Sequence, residues 1–337
     1  MIKLVIDCFG GDNSPDANIE GTIAALKEHK DLSVIFTGDE KIIKEKLSTL
    51  NVSDERISIV HAPDVLTGED KPTDAVRLKR DSSMMKGFSL LREDKSVNGF
   101  VSIGATGCLV TGTILRVGRV KGVVRPAFCP ILPTMSGGIC GVCDSGANAD
   151  VRPDMLQQFA IMGSIYLESV FGIKKPRVAL LNIGTEEEKG NDIHREAYQL
   201  LKNTKGINFV GNMEGRDLLS GNYDLIVSDG FSGNVMIKTC EGVAMELLKK
   251  IKKDIFSKTK YKIGALFMKK MFAEEKEFFN YQNYGGSVML GSESVVVKGH
   301  GNINAKGFEV CVNQAYKICK EKVIQNIAKK ISKTFDK

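Results

Sequence analysis

The sequence lacks any apolar run that reaches the roughly 18 residues of a membrane-spanning helix. It opens directly on a strand-like stretch, Ile2–Asp7, without the charged and apolar regions of a secretory signal peptide. From these two absences we expect a cytoplasmic protein.

The chain also lacks a complete set of metal ligands. Its eight cysteines are scattered, and only Cys140 and Cys143 form a C-x-x-C pair. A zinc site needs four ligands, and no second pair or histidine cluster accompanies this one. We therefore predict no metal and interpret residues 138–144 as a buried strand, in which cysteine acts as a small apolar residue.

Three common catalytic motifs are missing. There is no P-loop, no G-x-G-x-x-G after the first strand, and no G-x-S-x-G nucleophile elbow. These absences disfavour a standard nucleotide site and a serine hydrolase. We expect no cofactor, and a site that binds an anion without a covalent nucleophile.

Short β-branched runs alternate with helical patterns along most of the chain. Pro153 suits the first turn of one helix, and Gly172 suits its end. Such alternation predicts an α/β fold with a mostly parallel sheet. The predicted strands cover residues 2–7, 33–37, 57–60, 99–103, 127–132, 139–144, 177–182, 208–211, 225–228 and 294–298. We expect one α/β domain over residues 1–337, with a lysine-rich helical insertion at about 235–285.

Positive charge is concentrated in two segments. The chain carries +6 overall, yet residues 249–270 hold nine lysines and one acid, and residues 320–337 hold six lysines and two acids. The rest of the chain is therefore net acidic. Charge this local indicates a partner surface rather than nucleic-acid binding.

Five polar, glycine-containing turns follow predicted strands, at residues 7–12, 102–107, 144–148, 182–191 and 228–234. One such turn is ordinarily a tight connection, but five at one rim indicate a composite site, because ligands bind at the carboxyl ends of such strands. Backbone N–H groups there suit phosphate. The candidate phosphate-binding residues are Asp7, Gly10, Gly11, Gly104, Thr106, Gly107, Asn148, Gly184, Asn191, Arg195, Asp229 and Gly233.

Acyl transfer from a thioester to phosphate would fit such a site, because phosphate is itself the nucleophile. Lys189, His194 and Arg195 follow the fourth turn and could hold phosphate and the developing oxyanion. The alternative is a solvated helix start, where residues 186–188, all glutamates, simply favour the N-terminus. The residues alone leave both interpretations open.

At these turns the chain resembles a known family. The matching motifs, in order, are D-x-x-G-G-D at 7–12, S-x-G-x-T-G at 102–107, D-x-G-A-N at 144–148, L-N-I-G-x-E-E-x-K-G-N at 181–191, G-N-x-E-G-R-D at 211–217, D-G-F-x-G-N at 229–234 and G-H-G at 299–301. They are similar to those of the acyl-carrier-protein:phosphate acyltransferases of bacterial phospholipid synthesis, and they span about 300 residues.

The resemblance implies a homodimer of three-layer α/β/α architecture, like isocitrate dehydrogenase or phosphotransacetylase, with a protruding helical arm. It implies transfer of a fatty acyl group from acyl carrier protein to inorganic phosphate, with the acyl phosphate passed to a membrane glycerol-3-phosphate acyltransferase. Lys189, Asn234 and His194 are its catalytic candidates. Cys8, Phe9, Cys140 and Cys143 depart from the family pattern and are interpreted as core variation.

Residues 259–284 have the pattern of an amphipathic helix. Apolar residues, including Leu266, Phe267 and Phe279, alternate with lysines such as Lys269 and Lys270. This stretch could contact an anionic membrane surface, dock acidic acyl carrier protein, or pack on a second subunit. We expect peripheral membrane association, with the other two left open.

Three other functions remain alternatives. A short-chain phosphotransacetylase would use coenzyme A thioesters, so acyl length separates it from the leading hypothesis. A nicotinamide-dependent dehydrogenase of the related fold would bind the dinucleotide. A peripheral membrane scaffold would show no turnover.

Overall fold

The protein is described here from a computed structural model that covers residues 1–278 and 281–335. Twelve strands within these residues form two sheets. The strands are β1 (Ile2–Asp7), β2 (Leu32–Gly38), β3 (Ile57–His61), β4 (Gly99–Ser102), β5 (Ala127–Cys129), β6 (Ile131–Pro133), β7 (Ile139–Cys143), β8 (Arg177–Asn182), β9 (Asn208–Glu214), β10 (Leu225–Val227), β11 (Ser287–Leu290) and β12 (Val295–Lys298).

The first sheet has seven strands in the order β3-β2-β1-β4-β12-β11-β5. Its first five strands are parallel to one another. At one side of the sheet, β11 is antiparallel to both of its neighbours, β12 and β5. The β-branched runs of β1 and β2 are almost fully buried, as expected for parallel strands covered on both faces. The carboxyl ends of β1, β4 and β12 therefore lie side by side.

The second sheet has five strands in the order β6-β7-β10-β8-β9. The pairs β7–β10, β10–β8 and β8–β9 are parallel, and β6 is antiparallel to β7. Its carboxyl edge therefore carries the turns after β7, β8 and β10. The mostly parallel α/β fold is confirmed, although its strands form two sheets instead of one.

Helices cover these sheets. They are α1 (Asp16–Glu28), α2 (Glu40–Thr49), α3 (Pro72–Leu78), α4 (Ser83–Glu93), α5 (Thr106–Gly112), α6 (Pro153–Phe171), α7 (Asp192–Lys202), α8 (Gly230–Ser257), α9 (Thr259–Phe267), α10 (Lys269–Phe278), α11 (Ala305–Lys320) and α12 (Val323–Phe335). As predicted, α6 begins at Pro153 and ends against Gly172, which takes the left-handed conformation (φ 70°). Across the described residues, every helix is too short or too polar to cross a bilayer.

The predicted helix at 259–284 is broken. A helix ends at Ser257, Lys258 is extended, and a second break lies at Met268 between α9 and α10. Most side chains from the middle of α8 through α10 are exposed. Phe279 lies outside the described residues.

Cys140 and Cys143 both lie in the buried β7, as the sequence predicts. Burial raises the pKa of both thiols above the usual range. Neither thiol has the exposed, electropositive surroundings of a reactive cysteine.

Candidate functional site

The turns after β1 and β4 are joined through a buried carboxylate. Asp7 accepts a hydrogen bond of 2.6 Å from the Ser102 hydroxyl, and the same hydroxyl accepts one of 3.0 Å from the Gly104 N–H. Burial raises the pKa of Asp7, while Ser102, Ser83 and the charge of Lys298 oppose this shift. Asp7 therefore organises the two turns from within.

Two glycines let these turns touch. A Cβ on Gly10 would lie 2.5 Å from the Gly104 Cα atom, so only glycine fits without moving the backbone. Gly11 has φ 99°, and the next residue, Asp12, donates its N–H to the Gly301 carbonyl over 2.7 Å. The turn after β12 is thereby attached to the same cluster.

Two titratable residues at the end of β12 belong to this cluster, although they were absent from the sequence-based candidates. Burial lowers the pKa of Lys298 to about 8 and that of His300 to about 4, and the positive charge of Lys238 on α8 adds to both shifts. Two sequence features could have indicated these residues. Lys298 is a charged residue at the end of an apolar strand, and His300 is the histidine of the G-H-G motif.

A second buried carboxylate, Asp144, follows β7. It accepts hydrogen bonds from the Asn148 side-chain amide and from five backbone N–H groups, those of Phe128, Ser145, Gly146, Ala147 and Asn148. Phe128 lies in β5 of the first sheet, so Asp144 fastens the two sheets together. Burial raises the pKa of Asp144, and these hydrogen bonds oppose the rise.

The same network positions the start of α8. Gly230 donates its N–H to the Asn148 carbonyl over 2.7 Å, and a Cβ on Gly233 would overlap the Asp144 carbonyl. Asp229 caps the helix by accepting from the Ser232 N–H over 2.7 Å. Asn234, the fifth residue of α8, is exposed, and its amide faces Gly146.

The turn after β8 forms a loop closed by Asn182. The side-chain amide of Asn182 donates to the Lys189 carbonyl over 3.0 Å, and a Cβ on Gly190 (φ 88°) would lie 2.6 Å from the Asn182 amide oxygen. Gly184 sits against the stem of Lys189, where a Cβ would lie 3.0 Å from Lys189 Cγ. The loop backbone is therefore held in place by the Asn182 side chain and by the close approach of Gly184 to Lys189.

The loop ends where α7 begins. Asn191 caps this helix by accepting from the His194 N–H over 3.1 Å, and its side-chain oxygen lies 2.7 Å from His194 Nδ1. An amide oxygen only accepts, so Nδ1 donates the proton and Nε2 keeps a lone pair. Burial lowers the pKa of His194, and Asp229 partly offsets the shift, so the ring is neutral at pH 7.

Charged side chains around this loop differ in their pairing. Arg195 is bound to the Gly190 carbonyl and Asp192, while Glu187 pairs with Lys202 at 2.9 Å. Lys189 is exposed, and its ammonium has no hydrogen bond or ion pair with any residue that the structure describes.

The structure groups most candidates but separates some. Asn148, Asp229, Gly233 and Asn234 share the Asp144 network, and the interaction of Asp229 with His194 connects it to the Lys189 loop. Asp7, Gly10, Gly11 and Gly104 form the other cluster, at the first sheet. Thr106 and Gly107 begin α5, where Gly107 abuts Pro72. Leu266, Phe267, Lys269 and Lys270 lie apart, on α9 and α10.

This fold is shared with solved phosphotransacetylases. A phosphotransacetylase from Streptococcus pyogenes superposes with a TM-score of 0.61 at 15% identity, covering 96% of this chain and 94% of its own. A branched-chain phosphotransacylase from Enterococcus faecalis gives a TM-score of 0.53 at 13% identity, covering 94% and 99%. At such identities the likeness defines the fold class alone.

Relatives of closer sequence define the family. The family model described as "Fatty acid synthesis protein" matches residues 2–326. A phosphate acyltransferase from Clostridium acetobutylicum is 44% identical over 328 residues, which cover 97% of this chain and 98% of the relative. One from Clostridium tetani is 42% identical over 330 residues, covering 98% of each. The chain belongs to this phosphate acyltransferase family and is an acyltransferase.

Proposed function

We propose that this chain transfers a fatty acyl group from acyl carrier protein to inorganic phosphate. A phosphate oxygen attacks the thioester carbonyl carbon, the C–S bond breaks, and the proton of hydrogen phosphate passes to the departing thiolate. The products are an acyl phosphate and the free carrier thiol. The acyl phosphate then serves a membrane glycerol-3-phosphate acyltransferase in phospholipid synthesis. The relatives' description as phosphate acyltransferases supports acyl transfer to phosphate.

The ammonium of Lys189, which has no partner among the described residues, carries this proposal. It extends from a fixed glycine loop, beside the N-terminus of α7, while the neighbouring Arg195 and Lys202 already have anionic or carbonyl partners. A cation without a partner at a helix N-terminus suits a dianionic ligand. Lys189 therefore holds phosphate, and Gly184 and Asn191 shape the loop around it.

His194 and Asn234 complete the proposed catalytic group. Because Asn191 holds the Nδ1 proton of His194, the neutral ring offers Nε2 as the acceptor for the phosphate proton and returns that proton to the thiolate. Asn234, exposed near the start of α8, offers an amide N–H to the carbonyl oxygen.

The exposed apolar side chains of α9 support membrane association. Leu266 and Phe267 are 72% and 88% exposed and lie next to Lys269 and Lys270. Aromatic and aliphatic groups flanked by lysines suit the interface of an anionic bilayer. Replacing Leu266 and Phe267 by Glu should abolish binding to anionic vesicles. The same double change at Leu115 and Val210, exposed apolar residues elsewhere, is the control.

We also propose a homodimer. Phe231, Val235, Val243 and Leu247 on α8 are all exposed apolar residues, with exposed fractions of 67, 49, 63 and 57%. Exposed apolar surface of this kind is typical of a protein–protein contact. Light scattering of the purified chain tests this directly, and a monomer at micromolar concentration would contradict it.

The reaction is tested by trapping acyl phosphate with hydroxylamine. Palmitoyl-acyl carrier protein with phosphate should give palmitoyl hydroxamate, and acetyl-coenzyme A should give little product. Turnover with acetyl-coenzyme A alone would make the chain a short-chain phosphotransacetylase. Folded protein without turnover on either donor would favour the scaffold.

A further inference from the structure

A groove of about 1210 Å³ runs along α8, between that helix, α9 and the body of the protein. One wall is an apolar face of α8, whose residues lie about one or two helical turns apart, except for the adjacent pair Ala244 and Met245. This face consists of Ile237, Ala244, Met245, Leu248, Ile251 and Ile255. From its first to its last residue it spans about 27 Å, at 1.5 Å per residue.

The facing wall is also apolar. Leu132 and Pro133 of β6 and Leu219 form it near the body, and Ile263 and Leu266 of α9 form it farther out. Lysines such as Lys252 lie along the rim, where their stems extend the apolar surface and their charges remain in water. The groove is therefore long and lined by apolar side chains on both walls.

The inner end of the groove is polar. The Lys238–Glu241 ion pair, at 2.7 Å, and His300 line it. His300 lies between Gly299 and Gly301, which bind the turns after β4 and β1 through the Ser102 carbonyl and the Asp12 N–H. Lys238 also follows Asn234 by one helical turn. The groove therefore starts next to both parts of the candidate site.

We propose that this groove holds the fatty acyl chain, with the thioester carbon at its inner end and the terminal methyl group toward α9. This inference rests on the proposed function for the identity of the donor. Its shape favours a single extended chain over a folded partner, because apolar residues of α8, β6 and α9 line it along its length and the Lys238–Glu241 pair and His300 stand at the end next to the candidate site. Each buried methylene then improves binding about fourfold.

The inference is tested by filling the groove. Ala244→Trp and Leu248→Trp place bulk on the apolar face of α8, and Lys253→Trp places it on the same helix outside the groove. The kcat/KM for a palmitoyl donor should fall about a hundredfold in the first two, while a butyryl donor should change by less than about threefold. Lys253→Trp should match the wild type with both donors.

Binding of cis-parinaric acid supplies a readout that needs no turnover. The wild type and Lys253→Trp should bind it, and the two groove variants should not; Ala244→Leu, a milder change, should show an intermediate loss. If the variants show this binding pattern but the wild type makes no acyl phosphate, the proposed reaction is wrong and the assignment of the groove as an acyl-chain site stands. Wild-type turnover with an unaltered chain-length profile in the filled variants would overturn the groove alone.

Two further outcomes also overturn it. An equal loss with palmitoyl and butyryl donors, together with a changed mass by light scattering, would make the groove a contact between two copies of the chain. An equal loss accompanied by a higher KM for the carrier protein and unchanged mass would make it a carrier-docking surface.

Discussion

Two turns at the carboxyl edge of the second sheet use similar residues for opposite purposes. After β7, the Asp144 carboxylate is buried and accepts hydrogen bonds from six donors. After β8, the Lys189 ammonium is exposed and has no partner among the described residues. Both turns contain glycine and asparagine, and both precede a helix.

The difference distinguishes a charged group with a structural role from one that can bind a ligand. A charge with all its hydrogen bonds made inside the protein holds backbone segments together, and its loss leaves several donors unsatisfied. A charge without a partner, on a loop that is itself held firmly, is available for a ligand. The Asp144 turn therefore joins the two sheets, and the Lys189 loop binds phosphate.

The largest expected effect is on stability, at Asp144. Asp144→Ala leaves the N–H groups of Phe128 and Ala147 without their acceptor and should lower the free energy of unfolding by about 4 kcal/mol. Urea denaturation measures this loss. Asp192→Ala, at an exposed aspartate on α7, is the control and should change stability by less than about 0.5 kcal/mol. Equal stability of both variants would contradict the structural role of Asp144.

A smaller effect is expected at His194. His194→Gln should reduce kcat by about tenfold to a hundredfold, because the variant lacks the proton acceptor. Burial lowers the pKa of His194, so the wild-type to variant ratio should be largest at neutral pH and fall as acid protonates the ring.

Stopped assays from pH 5 to 8 give this ratio. The titration of phosphate affects both proteins equally and therefore cancels in the ratio. His61→Gln, at an exposed histidine on β3, should follow the wild type. A ratio independent of pH would show that His194 does not take the proton.

An effect confined to alkaline pH is expected at Lys298. Its pKa is about 8 in the folded chain, against 10.5 for the unperturbed side chain. Between these values the unfolded chain binds a proton that the folded chain has lost, so the free energy of unfolding rises with pH in this window. Lys298→Met should remove that rise. Parallel curves for wild type and variant from pH 8 to 10.5 would contradict it.

Much of the fold could be predicted from sequence periodicity. The runs of β1, β8 and β12 were located within a residue, because buried parallel strands are continuously apolar. The predicted strand at 127–132 is instead β5 and β6, which lie in different sheets. Pro130 stands between them and cannot donate to a ladder, so the chain changes sheets there.

Other features depend on contacts that no local pattern contains. The short β11 lies between Gly286 and Gly291, and a four-residue run with three apolar side chains does not distinguish a strand from a helix. No proline or glycine marks the breaks at Lys258 and Met268. Which strands share a sheet is set by long-range pairing, as when β12 inserts between β4 and β11.

The location of the site, at a set of turns after strands, could be predicted from the sequence. The role of each residue within it could not. The sequence places both Asp7 and Lys189 in glycine-containing turns after strands. Their difference arises from burial and pairing, since Asp7 accepts a hydrogen bond from Ser102 inside the protein and Lys189 extends into solvent. Lys298 was missed because its surroundings come from β4 and α8, which are distant in sequence.

The most direct test of this account compares Lys189→Met with Lys202→Met in acyl-phosphate formation from palmitoyl-acyl carrier protein. Lys202 lies nearby on α7 but is already paired with Glu187. The account predicts that Lys189→Met loses at least about a hundredfold in kcat/KM for phosphate, with unchanged unfolding, and that Lys202→Met stays within about twofold. Equal activity of the two variants would contradict the assignment of the phosphate site to the Lys189 loop.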